Sequence, residues 1–200
     1  MLLAGFFSQL LCLGIARFAY TPLLPLMQQQ QVLDDASGGY LAAVNYLGYM
    51  AGALLAASLS NLKLKDSLYR LGLILAVLST LGMALTDNVW LWSLWRFVAG
   101  LSSAGSMLIA SGLIMHWLLS HKQRAELGIH FAGLGLGIAL SALLVELMLS
   151  LQLDWRAQWQ YLALFGVVLT LALGRFVAEV FAAWAVALVF VASAAVGALV

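Results

Sequence analysis

Two arginines stand where a positive charge is costly. Arg17 lies in Gly14-Ile-Ala-Arg17-Phe-Ala-Tyr20-Thr-Pro22-Leu-Leu-Pro25-Leu-Met27, within an apolar run that begins at Met1. Arg96 opens a second run as Arg96-Phe-Val-Ala-Gly100. A charged side chain at membrane depth costs about 2.5–3.5 kcal/mol on insertion scales, so it marks a pathway or a partner. Tyr20 follows Arg17 by one helical turn, on nearly the same face, so both can point into one cavity. Both prolines of the chain come next. They bend the helix and free carbonyls that neighbours must satisfy. The chemistry this suits is contact with a polar solute or ion; the competing reading satisfies Arg17 with carbonyls at the proline bend or with a packing partner. For Arg96 the competing reading is snorkelling to headgroups near Trp90, Trp92 and Trp95, an aromatic belt.

Other polar residues in apolar surroundings extend the set. Asn45 and Tyr49, four apart, either line a cavity together or bond between helices. Gly133-xxx-Gly137 allows close helix approach, for static packing or for a contact that slides. His130 is a candidate proton relay, set against solvation beside His116 and His121. Glu146 either pairs with Arg96 or reaches the interface. No phosphate-binding loop, metal-ligand spacing or Ser/His/Asp arrangement appears, so no enzyme, metal, cofactor or ATP-driven pump is expected. The lone Cys12 excludes an internal disulfide and reads as a small apolar residue.

The elements that position these groups are membrane helices. The 200 residues are 64% hydrophobic and 8% charged, and mean hydropathy is +1.04. A soluble domain carries roughly 25% charged residues. The bilayer is therefore the solvent, and a net charge of +1 implies no nucleic-acid partner. Six spans fit the apolar runs at 3–27, 38–60, 68–86, 89–115, 126–149 and 157–175. No Lys or Arg precedes the first run, and it is too long for a signal peptide, so it reads as a retained helix. The fold class expected is an all-α, polytopic, six-helix membrane bundle over 1–175. The Ala/Val-rich tail, 176–200, either continues helix six or starts a seventh span.

The connections alternate in charge. Lys63, Lys65, Arg70, Lys122, Arg124 and Arg175 fall on one side, and Arg156 alone on the other. By the positive-inside rule the N-terminus is cytoplasmic, in the plasma (inner) membrane. Polar residues concentrate in helices one, two, four and five, while three and six are nearly bare and free to face lipid. This pattern fits two three-helix repeats, a common plan of secondary transporters.

The segments also resemble a known family. The Gly14–Met27 motif closely resembles the first helix of YbfB/YjiJ-like transporters of the major facilitator superfamily. Tyr40-Leu-Ala-Ala-Val-Asn45-Tyr-Leu-Gly48-Tyr49 and Ala132-Gly-Leu-Gly-Leu-Gly137-Ile-Ala-Leu-Ser141 resemble their second and fifth helices. Arg96-x-x-x-Gly100 is similar to the superfamily pattern whose arginine is linked to proton transfer. Gly133-x-x-x-Gly137-Ile138-x-x-Ser141-Ala142 is similar to the glycine-rich antiporter pattern, with Ile138 for proline and Ser141-Ala142 for two glycines. Asn61 to Arg70 keeps the charge of the loop-gating pattern but not its glycines. The resemblance implies twelve helices in two halves, helices one and four lining the cavity, and only the first half present here. A truncated or frame-disrupted product, or a fragment, is therefore expected.

The function expected is secondary active or facilitative transport of a small solute by alternating access, with proton coupling as one form. Arg17, Tyr20, Asn45, Tyr49 and Arg96 would meet solute or ion; Gly100, Gly133 and Gly137 would pack or gate; His130 and Glu146 would relay protons. Expected partners are the lipid bilayer, the solute, and a second six-helix half or a homo-oligomer. The alternative is a non-transporting membrane assembly protein that associates through its glycine-rich helix faces.

Overall fold

Four helices start on an Asp or Asn whose side chain accepts from the first turn. Asp34 accepts from Ser37 N at 2.9 Å, Asn61 from Lys63 N at 2.9 Å, Asn88 from Trp90 N at 2.8 Å and Asp154 from Ala157 N at 2.7 Å. Each satisfies a backbone donor that a helix start leaves free. The bonds to Ser37 hold the Asp34 carboxyl below its usual range. The computed structural model describes residues 2–172, which form six helices. These are α1 (Leu2–Gln29), α2 (Asp35–Ser58), α3 (Leu62–Ala84), α4 (Val89–Ser120), α5 (Gly128–Ser150) and α6 (Trp155–Ala172). The tail at 176–200 lies outside the described residues.

The first five are long and apolar enough to cross a membrane. The described part of α6 is 18 residues and opens on Trp155-Arg-Ala-Gln-Trp-Gln-Tyr161, which keeps it below that standard. Two boundaries differ from expectation. Residues 62–67 read as a connection but belong to α3, because Asn61 caps it and Asp66 pairs with Arg70 one turn on at 2.9 Å. Helix α4 runs to Ser120 rather than 115.

Helix ends follow a second rule. Gln31, Lys122 and Gln152 take positive φ of 56°, 53° and 57° just after α1, α4 and α5. The next amide in each case reaches back to the helix: Val32 N to Met27 O at 3.0 Å, Gln123 N to Leu118 O at 2.9 Å, and Leu153 N to Met148 O at 3.1 Å. These are Schellman ends with no glycine in the left-handed position.

Helix α1 runs through the middle, against α3, α4, α5 and α6, and α2 lies along α4. Leu11, Ile15, Leu23 and Met27 of α1 are buried with Leu73 of α3, Trp92 of α4, and Trp159 and Leu162 of α6. Trp92 donates to Met83 O at 2.9 Å and meets Trp155 edge-on. At one end of the bundle Arg156 donates to both oxygens of Asp87, at 2.7 and 2.8 Å. That contact ties the first turn of α6 to the α3–α4 turn.

Apolar composition did not decide which helices face outward. The polar-poor α3 buries 61% of its most apolar stretch, whereas α2 and α5 bury 33% and 28%. In a bilayer an apolar side chain gains nothing by leaving lipid for protein, so shape and small residues decide burial. Helices α2 and α5 each present a buried stripe to one neighbour and leave the rest of their surface uncovered.

Candidate functional site

The site grows from a break in α1. Residues Leu10–Phe18 wind as a π-helix, in which each carbonyl looks five residues ahead for a donor. Five residues after Arg17 stands Pro22, which has no N–H. The Arg96 guanidinium reaches the carbonyls at the end of this π segment. Arg96 Nη1 donates to Arg17 O at 3.3 Å and to Ala16 O at 3.4 Å. The Arg96 head lies 4.2 Å from the centre of the Tyr20 ring. Arg96 is 3% exposed, so it does not snorkel. Satisfaction by carbonyls at the proline bend, the competing reading for Arg17, is what the structure shows for Arg96.

Arg17 points elsewhere. Its guanidinium carbon lies 4.4 Å from the Tyr49 ring centre, 5.0 Å from Tyr46 and 5.2 Å from Phe18. Stacking on aromatic faces stabilises a desolvated cation by ~2 kcal/mol or more. Arg17 is 9% exposed, and among the described residues neither Arg17 nor Arg96 has an ion-pair partner. Arg17 sits near the middle of α1, about 18 Å of helix from Gln29 at 1.5 Å per residue. Two buried cations thus stand without an ion-pair partner within the long apolar helices α1 and α4.

Tyr20 and Arg17 do not share a cavity. Tyr20 is buried, donating to Gly38 O at 3.0 Å, and its ring serves Arg96. Asn45 bonds between helices: its Nδ2 donates to Arg96 O at 2.7 Å. It therefore joins α2 to the backbone of the residue that braces α1. Gly100 and Gly48 make this closeness possible, since a Cβ on Gly100 would strike Asn45 O, and one on Gly48 would strike Phe97 O. Tyr46 is the cage residue the sequence left out of the site. The signal was there, three residues before Tyr49 and so on the same helix face.

On the other flank α1 meets α5. A Cβ at Gly14 would lie 2.5 Å from Gly137 Cα, and one at Gly133 would strike Phe6 O. The Gly133–Gly137 face is therefore covered by α1 of the same chain, and self-association through it would require α1 to leave. Farther along the seam His130 is fully buried, correcting the reading that solvation explains it. Its Nε2 lies 2.8 Å from Gln9 Nε2 and 3.0 Å from Ser111 Oγ. Gln9 and Ser111 were missed; Gln9 is the one amide within the first apolar run before Gln28. Glu146 does not pair with Arg96. It lies on the exposed side of α5, away from the α1–α4 seam that holds Arg96. A cleft of 360 Å³ opens where α1 begins, lined by Gly5, Asp66, Tyr69, Ile114 and Trp117 among others.

Comparison with known proteins agrees with this architecture. The family model described as "Uncharacterised MFS-type transporter YbfB" matches residues 9–198. The chain is 30% identical over 99 residues to the uncharacterized MFS-type transporter YceJ of Bacillus subtilis, covering 50% of this chain and 25% of that protein. It is 29% identical over 147 residues to the uncharacterized MFS-type transporter YcaD of Escherichia fergusonii, and 26% over 145 residues to one of Yersinia pestis. Each of these two alignments covers 70% of this chain and 38% of the relative. The chain thus spans well under half the length of these relatives. No solved structure matches it.

Proposed function

The chain belongs to the YbfB-type family of MFS transporters, and from that premise we propose that it forms one six-helix half of a small-solute transporter. The observation that carries this is the meeting of α1, α2 and α4 around two buried, uncompensated guanidinium groups. A membrane anchor or an assembly scaffold has no use for such a cost. Transport is secondary active or facilitative, by alternating access, with this bundle rocking against a second half. The uncovered faces of α2 and α5 and the greater length of the matched relatives support a second half.

Within the bundle the roles divide. Arg17, with Tyr46 and Tyr49, meets the solute. Arg96 positions α1 by holding the carbonyls beside the π segment, and Asn45 positions Arg96. Tyr20 braces the same contact. The seams through Gly14, Gly133 and Gly137, and through Gly48 and Gly100, let α1 and α4 shift as rigid pieces with α5 and α2. Those two pairs, α1 with α5 and α4 with α2, correspond when helices are counted three apart, which supports a 3+3 repeat. In a proton-coupled cycle His130 is the internal carrier. Among the described residues, the single cation at the Asp87 end, Arg156, is paired with Asp87, whereas Lys63, Lys65, Lys122 and Arg124 lie at the other end. That asymmetry supports a cytoplasmic N-terminus in the plasma (inner) membrane.

The test is flux. The chain is reconstituted in liposomes, alone and co-expressed with any second half encoded beside it, and solute entry and internal pH are followed. Flux that disappears in Arg17→Ala supports the reading. Flux that is unchanged by that substitution refutes the role given to Arg17.

A further inference from the structure

Resting on the transporter reading above, we propose that Arg17 is a docking group for a carboxylate, and that the solute is a small monocarboxylate with an apolar or aromatic body. A guanidinium offers five N–H donors in a planar fork that matches a carboxylate with two parallel bonds. The rings of Tyr49, Tyr46 and Phe18 lie 4.4–5.2 Å from its central carbon. Rings stacked on a guanidinium engage its faces and leave the donor edge free. Among the described residues, no carboxylate pairs with that edge. An Arg that is nine-tenths buried with most of its donors unspent is built to receive an acceptor from outside the chain.

That acceptor carries charge. The described carboxylates, Asp34, Asp35, Asp66, Asp87, Glu126, Glu146 and Asp154, lie in connections or within about a turn or two of helix ends, and none forms an ion pair with Arg17. One negative charge matches Arg17, and Arg96 is turned onto the backbone of α1. Its Nη1 is spent on Ala16 O and Arg17 O, and its Nε is sealed inside the protein. A dianion such as phosphate would bring a second charge that no available donor meets at that depth. Tyr46, 58% exposed, and the half-buried Tyr49 supply walls for a flat or apolar body next to the fork.

The experiment measures binding, not flux. The full chain in nanodiscs is titrated with benzoate at about pH 8.5 by saturation-transfer NMR, with benzamide as the neutral isostere, inorganic phosphate, a dianion at that pH, and empty nanodiscs as the blank. Benzoate is expected to bind and to be displaced by acetate-type carboxylates. Benzamide and phosphate are expected to displace it at least about 10-fold less well. Arg17→Lys keeps the charge but loses the fork, and weakens benzoate by about 10- to 100-fold, the equivalent of one charged hydrogen bond. Tyr49→Phe keeps the ring and retains binding. Benzamide or phosphate binding as well as benzoate overturns the proposal without any variant being needed, and so does an Arg17→Lys protein that binds benzoate unchanged. The two readings fail separately. Benzoate binding with no flux of any solute leaves the dock and removes the transporter, whereas flux of neutral solutes without benzoate binding does the reverse.

Discussion

Two glycine substitutions on facing helices should have opposite effects, and the structure sets their size. Gly14 of α1 lies against Gly137 of α5, and a Cβ at Gly14 would sit 2.5 Å from Gly137 Cα, 2.6 Å from its carbonyl carbon and 2.8 Å from its oxygen. Ordinary contact begins at 3.4 Å, so α1 and α5 must part by about 0.9 Å. The obstacle is backbone on both sides, and no side chain can rotate away. A gap of that size forfeits a quarter to a half of each contact well along the seam, which also holds Gly5 and Gly133. Overpacking of this kind costs about 1–3 kcal/mol, and the rigid obstacle places Gly14→Ala near the top of that range. The helix propensity of alanine offsets about 1 kcal/mol, leaving a net loss of about 2 kcal/mol. A Cβ added at Gly135, two residues before Gly137, would meet nothing within 4 Å. Gly135→Ala therefore keeps the propensity gain and should be neutral or stabilising by up to ~1 kcal/mol. Unfolding in mixed micelles titrated with SDS separates the two. Equal midpoints for Gly14→Ala and Gly135→Ala would refute the backbone-on-backbone seam, and with it the claim that α1 occupies the Gly133–Gly137 face.

Three further outcomes are expected. Asn45→Ala removes the bond to Arg96 O and should lower stability by ~0.6–1.7 kcal/mol, the span measured for such bonds between membrane helices; combined with Arg96→Lys the losses should be less than additive, because both act on one brace. Gln152→Gly or Lys122→Gly relieves a left-handed non-glycine helix end and should raise stability by about 0.5–1 kcal/mol in the same SDS titration, whereas Gln31→Ala should not. Cys12 is 1% exposed, so maleimide should label it only once the bundle opens; labelling of the folded protein within minutes would contradict the packing of α1 against α4.

The α1 break shows how one local defect organises its neighbours. The π segment ends at Phe18, four residues before Pro22, and Arg96 reaches from α4 to the Ala16 and Arg17 carbonyls at that end. Asn45 then holds the backbone of Arg96 from α2. Three helices are thus coupled through Arg96, and the Arg17 side chain turns to the tyrosines. A shift of α4 along α1 would alter that carbonyl contact and so the support beneath Arg17.

Much of the architecture was legible in the residues alone. Hydropathy is a local property, so the helices came from apolar runs, and the short polar breaks located the connections to within a few residues. The motif from Gly14 to Met27 marked α1 as the unusual helix, because a charge and two prolines in an apolar run are costly wherever they fold. Helix ends were less legible: Gln31, Lys122 and Gln152 terminate helices without glycine, so a missing glycine carries little information in this chain. What only the tertiary structure decided is which way each polar group turns. Arg17 and Arg96 look alike in sequence, yet one is spent on backbone carbonyls and the other stands in an aromatic cage. Gly135 and Gly137 look alike, yet only one touches another helix. Burial of His130 and exposure of Glu146 follow from the rotation of α5 about its own axis. That rotation is fixed by where two backbones can approach, a property of the pair of helices that neither sequence segment contains by itself.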